Sequence, residues 1–207
     1  MELLTVNENL YGQNIYFYYD KESGEAVIID PGDSFDRIRE MIEQNNLKIK
    51  AILLTHGHFD HTFRANEVRE LTNAPIYAHK DEAELLKNPE YNRSGYRGLG
   101  ISVVADKLLM DGEVFRFENG VELKVIHTPG HTAGGVCWYD KENAVLFTGD
   151  TLFKETIGRT DMPTGNHPEL LKSIAEKLLI LPESVKVLPG HDESSTIGHE
   201  KTNNKLL

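Results

Sequence analysis

Thr55-His56-Gly57-His58-Phe59-Asp60-His61 (THGHFDH, residues 55–61) puts three histidines and a carboxylate directly after the apolar run KAILL. A lone loop histidine is ordinarily a solvated or capping group. Four groups that are costly to desolvate, set side by side, have few explanations other than a metal ion or dense hydrogen bonding. His56 and His58 are two positions apart and can reach one ion from a turn, while Asp60 and His61 point elsewhere as the chain enters a helix. Four donors from one short turn surround a single tetrahedral ion poorly, so division between two neighbouring ions is the easier geometry.

The run before this stretch is one of several of strand length: 14–20, 25–30, 50–55, 75–79, 113–117, 121–127, 135–140, 144–150 and 185–191. Helical periodicity lies between them at 34–46, behind an Asp33 or Ser34 cap, and at 62–73 and 167–181. An Asn-Gly turn in FENGVEL and the short DKENA connection predict antiparallel pairs, and the strand-helix-strand spacing of 50–79 predicts parallel ones. The expectation is an α/β fold with mixed sheets. Five of the nine histidines, with Asp60, Asp150 and Asp192, end or follow a strand in THGHFDH, TPGHT, FTGDT or LPGHD. Ligands at strand ends converge on one edge of a sheet, where neighbouring loops can admit a substrate.

With 207 residues and 39% hydrophobic content, one sizeable core is affordable, and a single domain over 1–207 is expected. The 22 Lys and Arg against 33 Asp and Glu leave a net charge of −11 and no basic stripe, so nucleic acid is not an expected partner. No run approaches the ~20 apolar residues of a membrane span and the first residues lack an export pattern, so a cytoplasmic protein that makes no use of membranes is expected. The one cysteine, Cys137, sits in an apparent strand and reads as a small buried residue.

THGHFDH, followed by His131 in HTPGHTAGG, Asp150 in FTGDTLF and His191 in LPGHD, resembles the successive motifs of the metallo-β-lactamase superfamily, and specifically its compact prokaryotic glyoxalase II-like hydrolases. The resemblance runs from the strand pair ending in IIDPG to the tail TIGHEKTNN. It implies an αββα sandwich, two mixed β-sheets flanked by helices, with metals at one edge. It implies one ion held by His56, His58 and His131, a second by Asp60, His61 and His191, and Asp150 bridging both. Two divalent ions are expected, zinc first, with iron or manganese as alternatives. Lactamases of the superfamily usually carry arginine and cysteine where His61 and Asp150 stand, so antibiotic hydrolysis is not expected. The tRNA-processing nucleases share the first motif but would want a basic surface.

Two ions about 3.5 Å apart can share a hydroxide, bring the pKa of water near neutral and polarise a carbonyl. The expected activity is hydrolysis of small hydroxyacyl thioesters by a metal-bridging hydroxide, with Asp60 orienting the nucleophile. Only 16 residues follow His191, too few for the C-terminal helical domain of the eukaryotic pattern, and IGRTD replaces that pattern's lysine and tyrosine. Arg159 is the candidate for a substrate carboxylate, the alternative being a pair with Asp161. Tyr91, Arg93, Tyr96 and Arg97 read as a solvated loop rather than a pocket mouth. GRTD also resembles persulfide dioxygenases, which makes a mononuclear iron oxygenase the second reading and a non-catalytic metal-binding protein the third.

Overall fold

The computed structural model describes residues 1–207. One sheet has six strands in the order β1-β2-β3-β4-β5-β6: β1 (Glu2–Val6), β2 (Ile15–Tyr19), β3 (Glu25–Ile29), β4 (Lys48–Leu53), β5 (Ile76–His79) and β6 (Lys107–Leu109). Its β1-β2-β3 part is antiparallel and its β3-β4-β5-β6 part parallel. The parallel part is fed by helices α1 (Phe35–Gln44), α2 (Phe59–Thr62), α3 (Ala65–Thr72) and α4 (Ala83–Lys87).

The second sheet contains β7 (Val114–Arg116), β8 (Glu122–His127), β9 (Val136–Asp140) and β10 (Val145–Gly149), joined as antiparallel neighbours. A hairpin of β11 (Leu152–Phe153) and β12 (Thr156–Ile157) and helix α5 (His167–Ser173) follow, before β13 (Lys186–Pro189) returns parallel to β10. β14 (Ser195–Thr196) closes that edge and leads into α6 (Ile197–Asn203). Both sheets are therefore mixed, as expected.

Period-2 alternation builds the layers. In β2, Ile15 and Phe17 face α1 and α3, whereas Tyr16 and Tyr18 face the second sheet. Ala26 and Ile28 alternate with Val27 and Ile29 in the same way. Both faces are covered, which is why these strands read as continuous apolar runs. Trp138, Phe147, Phe117, Leu123 and Val125 meet them from the second sheet. Truncating Trp138 or Phe147 to alanine would cost about 3–5 kcal/mol. On the outer face of that sheet, Cys137, Leu146 and Val187 pack against Leu170, Ile174 and Ile197. The order of layers is helix, sheet, sheet, helix: the αββα sandwich.

Helix boundaries depart from the periodic pattern. Ser34 occupies the cap position of α1 in a left-handed conformation, without a side-chain cap bond, and Asp33 instead accepts from the Leu10 N–H. The helix expected over 62–73 is split, because THGHFDH makes a turn of its own before α3 begins at Ala65. The helix expected over 167–181 is regular to Ser173 and then widens into a π turn over Ile174–Leu178. No helix is long and apolar enough to cross a membrane.

Candidate metal centre

β3, β4, β8, β10 and β13 deliver their C-terminal ends to one edge of the sandwich, and there the chain places Asp30, the His56–His61 turn, His131, Asp150 and His191. The turn after β13 is pinned by Asn14, whose Nδ2 donates to the carbonyls of Pro189 and Asp192, and by the Tyr16 hydroxyl, which donates to Pro189 O at 2.7 Å. Gly190 is dictated by space: a Cβ there would stand 2.4 Å from Asp150 Oδ1 and 2.5 Å from the His61 ring. Only a residue without a side chain lets β13 approach the carboxylate this closely.

All seven residues expected to share the centre are brought together, in two groups. Donor atoms of His56, His58 and His131 lie within 4.8 Å of one another, as do those of Asp60, His61 and His191. Asp150 stands between them: its Oδ1 is 3.3 Å from His61 Nε2, and its Oδ2 is 3.7 Å from His131 Nε2 and 3.8 Å from His191 Nε2. Asp60 Oδ2 is 3.4 Å from His191 Nε2.

Hydrogen bonds behind the donors settle which nitrogen faces inward. His131 Nδ1 donates to Arg159 O at 2.7 Å, which leaves Nε2 with the free lone pair. His61 Nδ1 donates to Asp30 Oδ2 at 2.9 Å. Thr55 Oγ1 donates to the same Asp30 oxygen at 2.5 Å and therefore accepts from His56 Nδ1, 3.1 Å away. Asp30 thus orients one histidine of each group. It went unrecognised in IIDPG, where the one available signal was an aspartate ending a buried strand. Glu82 was missed too. Fully buried, it accepts from the backbone N–H groups of Gly57 and Gly134 and so clamps the His56–His58 turn to the loop after His131. Burial raises its carboxyl to about 7, against the pull of those donors.

Electrostatics separates the groups. Burial, then neighbouring imidazoles, holds His56 well below its ordinary pKa and brings His58 down to about 3. His131 is lowered chiefly by burial, although Asp150 opposes the shift. Burial works against the charge on Asp150, yet His61, His56 and His131 outweigh it and keep the carboxylate ionised. Burial opposes ionisation of Asp60 as well, and His191 and His61 overcome it. His61 is raised despite burial, because Asp150 and Asp30 flank it.

Imidazoles kept neutral at His56, His58 and His131, with His61 and His191 beside ionised carboxylates, make a donor set suited to divalent cations once the latter two give up their protons. Buried His56 Nε2, His58 Nε2 and Asp150 Oδ1 have no hydrogen-bond partner. Orphaned buried polar atoms are rare and costly, and cations at the centre would satisfy His56 Nε2 and Asp150 Oδ1, while His58 meets His131 Nε2 through Nδ1 at 2.9 Å. The residues fit the group.

Outside the centre, Cys137 is buried and its thiol is pushed up to about 11 by that burial. His127 is structural: its Nε2 donates to Ala133 O and its ring stacks on His79 at 3.9 Å. His167 opens α5, and His199 pairs with Glu155. Arg159 grips Asp161 through two contacts of 2.7 Å while also lining the cavity in front of the centre. Arg93, Tyr96 and Arg97, read as a solvated loop, line that cavity as well. The loop turns inward because Asn92 and Ser94 are fully buried and bonded to the backbone at Leu86 and Ile101.

A sandwich of this kind with paired His/Asp groups at its edge defines a metal-binding hydrolase class. Residues 9–191 match the family described as the Metallo-beta-lactamase superfamily, and the chain belongs to it. It is similar to the hydroxyacylglutathione hydrolase GloC of Haemophilus influenzae, 34% identical over 210 residues that cover 100% of this chain and 98% of the relative. Among solved structures it resembles the B3 metallo-beta-lactamase BLEG-1, at 38% identity and a TM-score of 0.94, covering 100% of this chain and 99% of that one. It also resembles TTHA1623 in a di-iron-bound form, at 32% identity and a TM-score of 0.87, covering 99% and 100%.

Proposed function

We propose that the chain is a binuclear metallohydrolase of small thioesters, glyoxalase II-like, acting on hydroxyacyl-thiol conjugates in the cytoplasm. The observation that carries this reading is Asp150, whose carboxylate reaches both donor groups, Oδ1 toward His61 and Oδ2 toward both His131 and His191. His56, His58 and His131 would hold one ion and Asp60, His61 and His191 the other, with Asp150 shared. Zinc is the first candidate, and the di-iron form of TTHA1623 supports testing iron beside it. When bound, such ions lower the pKa of water and polarise a carbonyl.

The chain's own residues do the rest. Asp60, kept ionised at the cavity floor, orients the attacking water by accepting its proton in a hydrogen bond. Asp30 and Arg159 O keep the histidine rings from rotating. Tyr11, Phe59 and Met162 supply the apolar wall. As the C–O bond forms and the C–S bond breaks, the sulfur leaves as a thiolate. Its conjugate acid has a pKa of about 8.5, so no separate general acid is needed.

The test is metal content per chain on protein purified without added metal, with thioester hydrolysis and persulfide-dependent oxygen uptake measured on the same sample. About two ions with hydrolysis and no oxygen uptake supports the reading; about one iron with oxygen uptake replaces it by an iron oxygenase. The likeness to BLEG-1 makes a β-lactam the second substrate to assay. Turnover of a β-lactam well above that of any thioester would reverse the substrate assignment.

A further inference from the structure

The protein carries eight arginines. Six of them are in ion pairs: Arg37 with Glu40, Arg39 with Asp36, Arg64 with Glu67, Arg69 with Asp106, Arg116 with Glu122 and Arg159 with Asp161. The two in no direct ion pair are Arg93 and Arg97, although Arg93 is near enough to Asp161 for its charge to help hold that carboxylate ionised, and both arginines line the cavity that opens onto the metal centre. In a chain of net charge −11, where acidic partners are plentiful, two guanidiniums left outside any direct pair at one mouth demand a reason.

Their surroundings are built. Asn92 and Ser94, on either side of Arg93, are fully buried, and the Phe59 N–H donates to Asn92 O, tying the loop to α2 beside Asp60. Arg93 itself adopts φ 71°, a left-handed conformation that disfavours any residue with a side chain. Its guanidinium lies 4.1 Å from the centroid of the Tyr96 ring, and that of Arg97 lies 6.0 Å from Phe59. Simple packing would be the plain account of these contacts. The contact with Tyr96 holds the Arg93 guanidinium over an aromatic face, the Arg97 guanidinium stands farther from Phe59, and neither arginine makes a side-chain hydrogen bond to the protein. N–H groups left free in this way are available to an oxyanion. Arg159, by contrast, has its edge filled by Asp161.

One cavity of about 390 Å³ holds both the guanidiniums and His58, Asp60, Asp150 and His191, a volume suited to one small molecule spanning the two ends. We propose that Arg93 and Arg97 form an anion subsite, so that the preferred substrates are thioesters bearing a carboxylate or phosphate remote from the scissile carbonyl. This rests on the thioester reading of the same centre. Arg159 is then a structural neighbour of the subsite rather than its principal cation.

The test uses the metal-loaded enzyme and three thioesters of one 2-hydroxy acid, made with N-acetylcysteamine, with 3-mercaptopropionate and with phosphopantetheine. These carry no charge, a carboxylate and a phosphate on the thiol side. The wild-type enzyme should favour an anionic member by about 10–100-fold in kcat/KM, mainly through KM. The Arg93→Gln/Arg97→Gln variant should lose at least about tenfold more on the anionic than on the neutral ester, and the double lysine variant should recover part of that preference. Whichever anionic ester leads identifies the group recognised. Equal rates on charged and neutral esters, or equal losses in the variant, overturn the subsite. Arg97→Gln alone changes an exposed side chain, so a folding defect cannot mimic the result. If no thioester turns over, the thioester reading fails by itself, and calorimetry with the S-methyl ethers of the three thiols still decides. Tighter wild-type binding of an anionic ether, lost in the variant, sustains the subsite; equal binding removes it.

Discussion

The two donor groups contrast sharply although Asp150 touches both. His56, His58 and His131 are each 2% exposed, and burial pushes all three toward the neutral form. In the other group, the side chains of Asp60 and His191 are 22% and 23% exposed, and the histidines, His61 fully buried and His191 partly so, are held on the charged side of their ordinary range. The first group is a dry trap of lone pairs. The second is a half-open site in which protons and cations compete, and it faces the cavity. The difference teaches that a single edge can combine a firmly held position with an exchangeable one.

The harshest way to break the contrast is Asp150→Ala, which removes the carboxylate common to both groups. Metal per chain should fall for both positions, and hydrolysis by at least about 100-fold; two retained ions would contradict the shared role. Asp60→Ala should affect one group only. Elemental analysis should find the His56/His58/His131 ion retained, most turnover lost and the circular dichroism spectrum unchanged, whereas unaltered turnover in a fully loaded variant would remove Asp60 from the chemistry. Asp30→Asn removes the shared acceptor behind His56 and His61, so affinity should weaken at both positions by about 10–100-fold. A loss confined to one position would show that the Thr55 link carries nothing. The smallest effect concerns the intact protein. Under limiting chelator, the ion at Asp60/His61/His191 should leave first, and release in the opposite order would invert the contrast.

Much of this architecture was legible in the sequence because strand ends announce themselves. The seven expected donors all follow apolar runs, and the sheet carries them to one edge. What stands behind them was not legible, since Asp30, Thr55 and Glu82 are ordinary residues whose roles arise from contacts across long stretches of chain. Edge strands Glu2–Val6 and Lys107–Leu109 were missed for a related reason: short and partly exposed, they show no clean alternation. The 88–100 loop lacks periodicity altogether, and its inward turn depends on buried Asn92 and Ser94, which from composition alone resemble solvated loop residues.

The order of the donors along the chain has a consequence for biosynthesis. His56, His58, Asp60 and His61 leave the ribosome well before His131, and His191 emerges last. Until His191 has been made, the first turn's donors are without the partners that β13 brings, and the donor set is complete only once that residue has joined them. Assembly of the centre is therefore tied to the order of synthesis as well as to coordination chemistry.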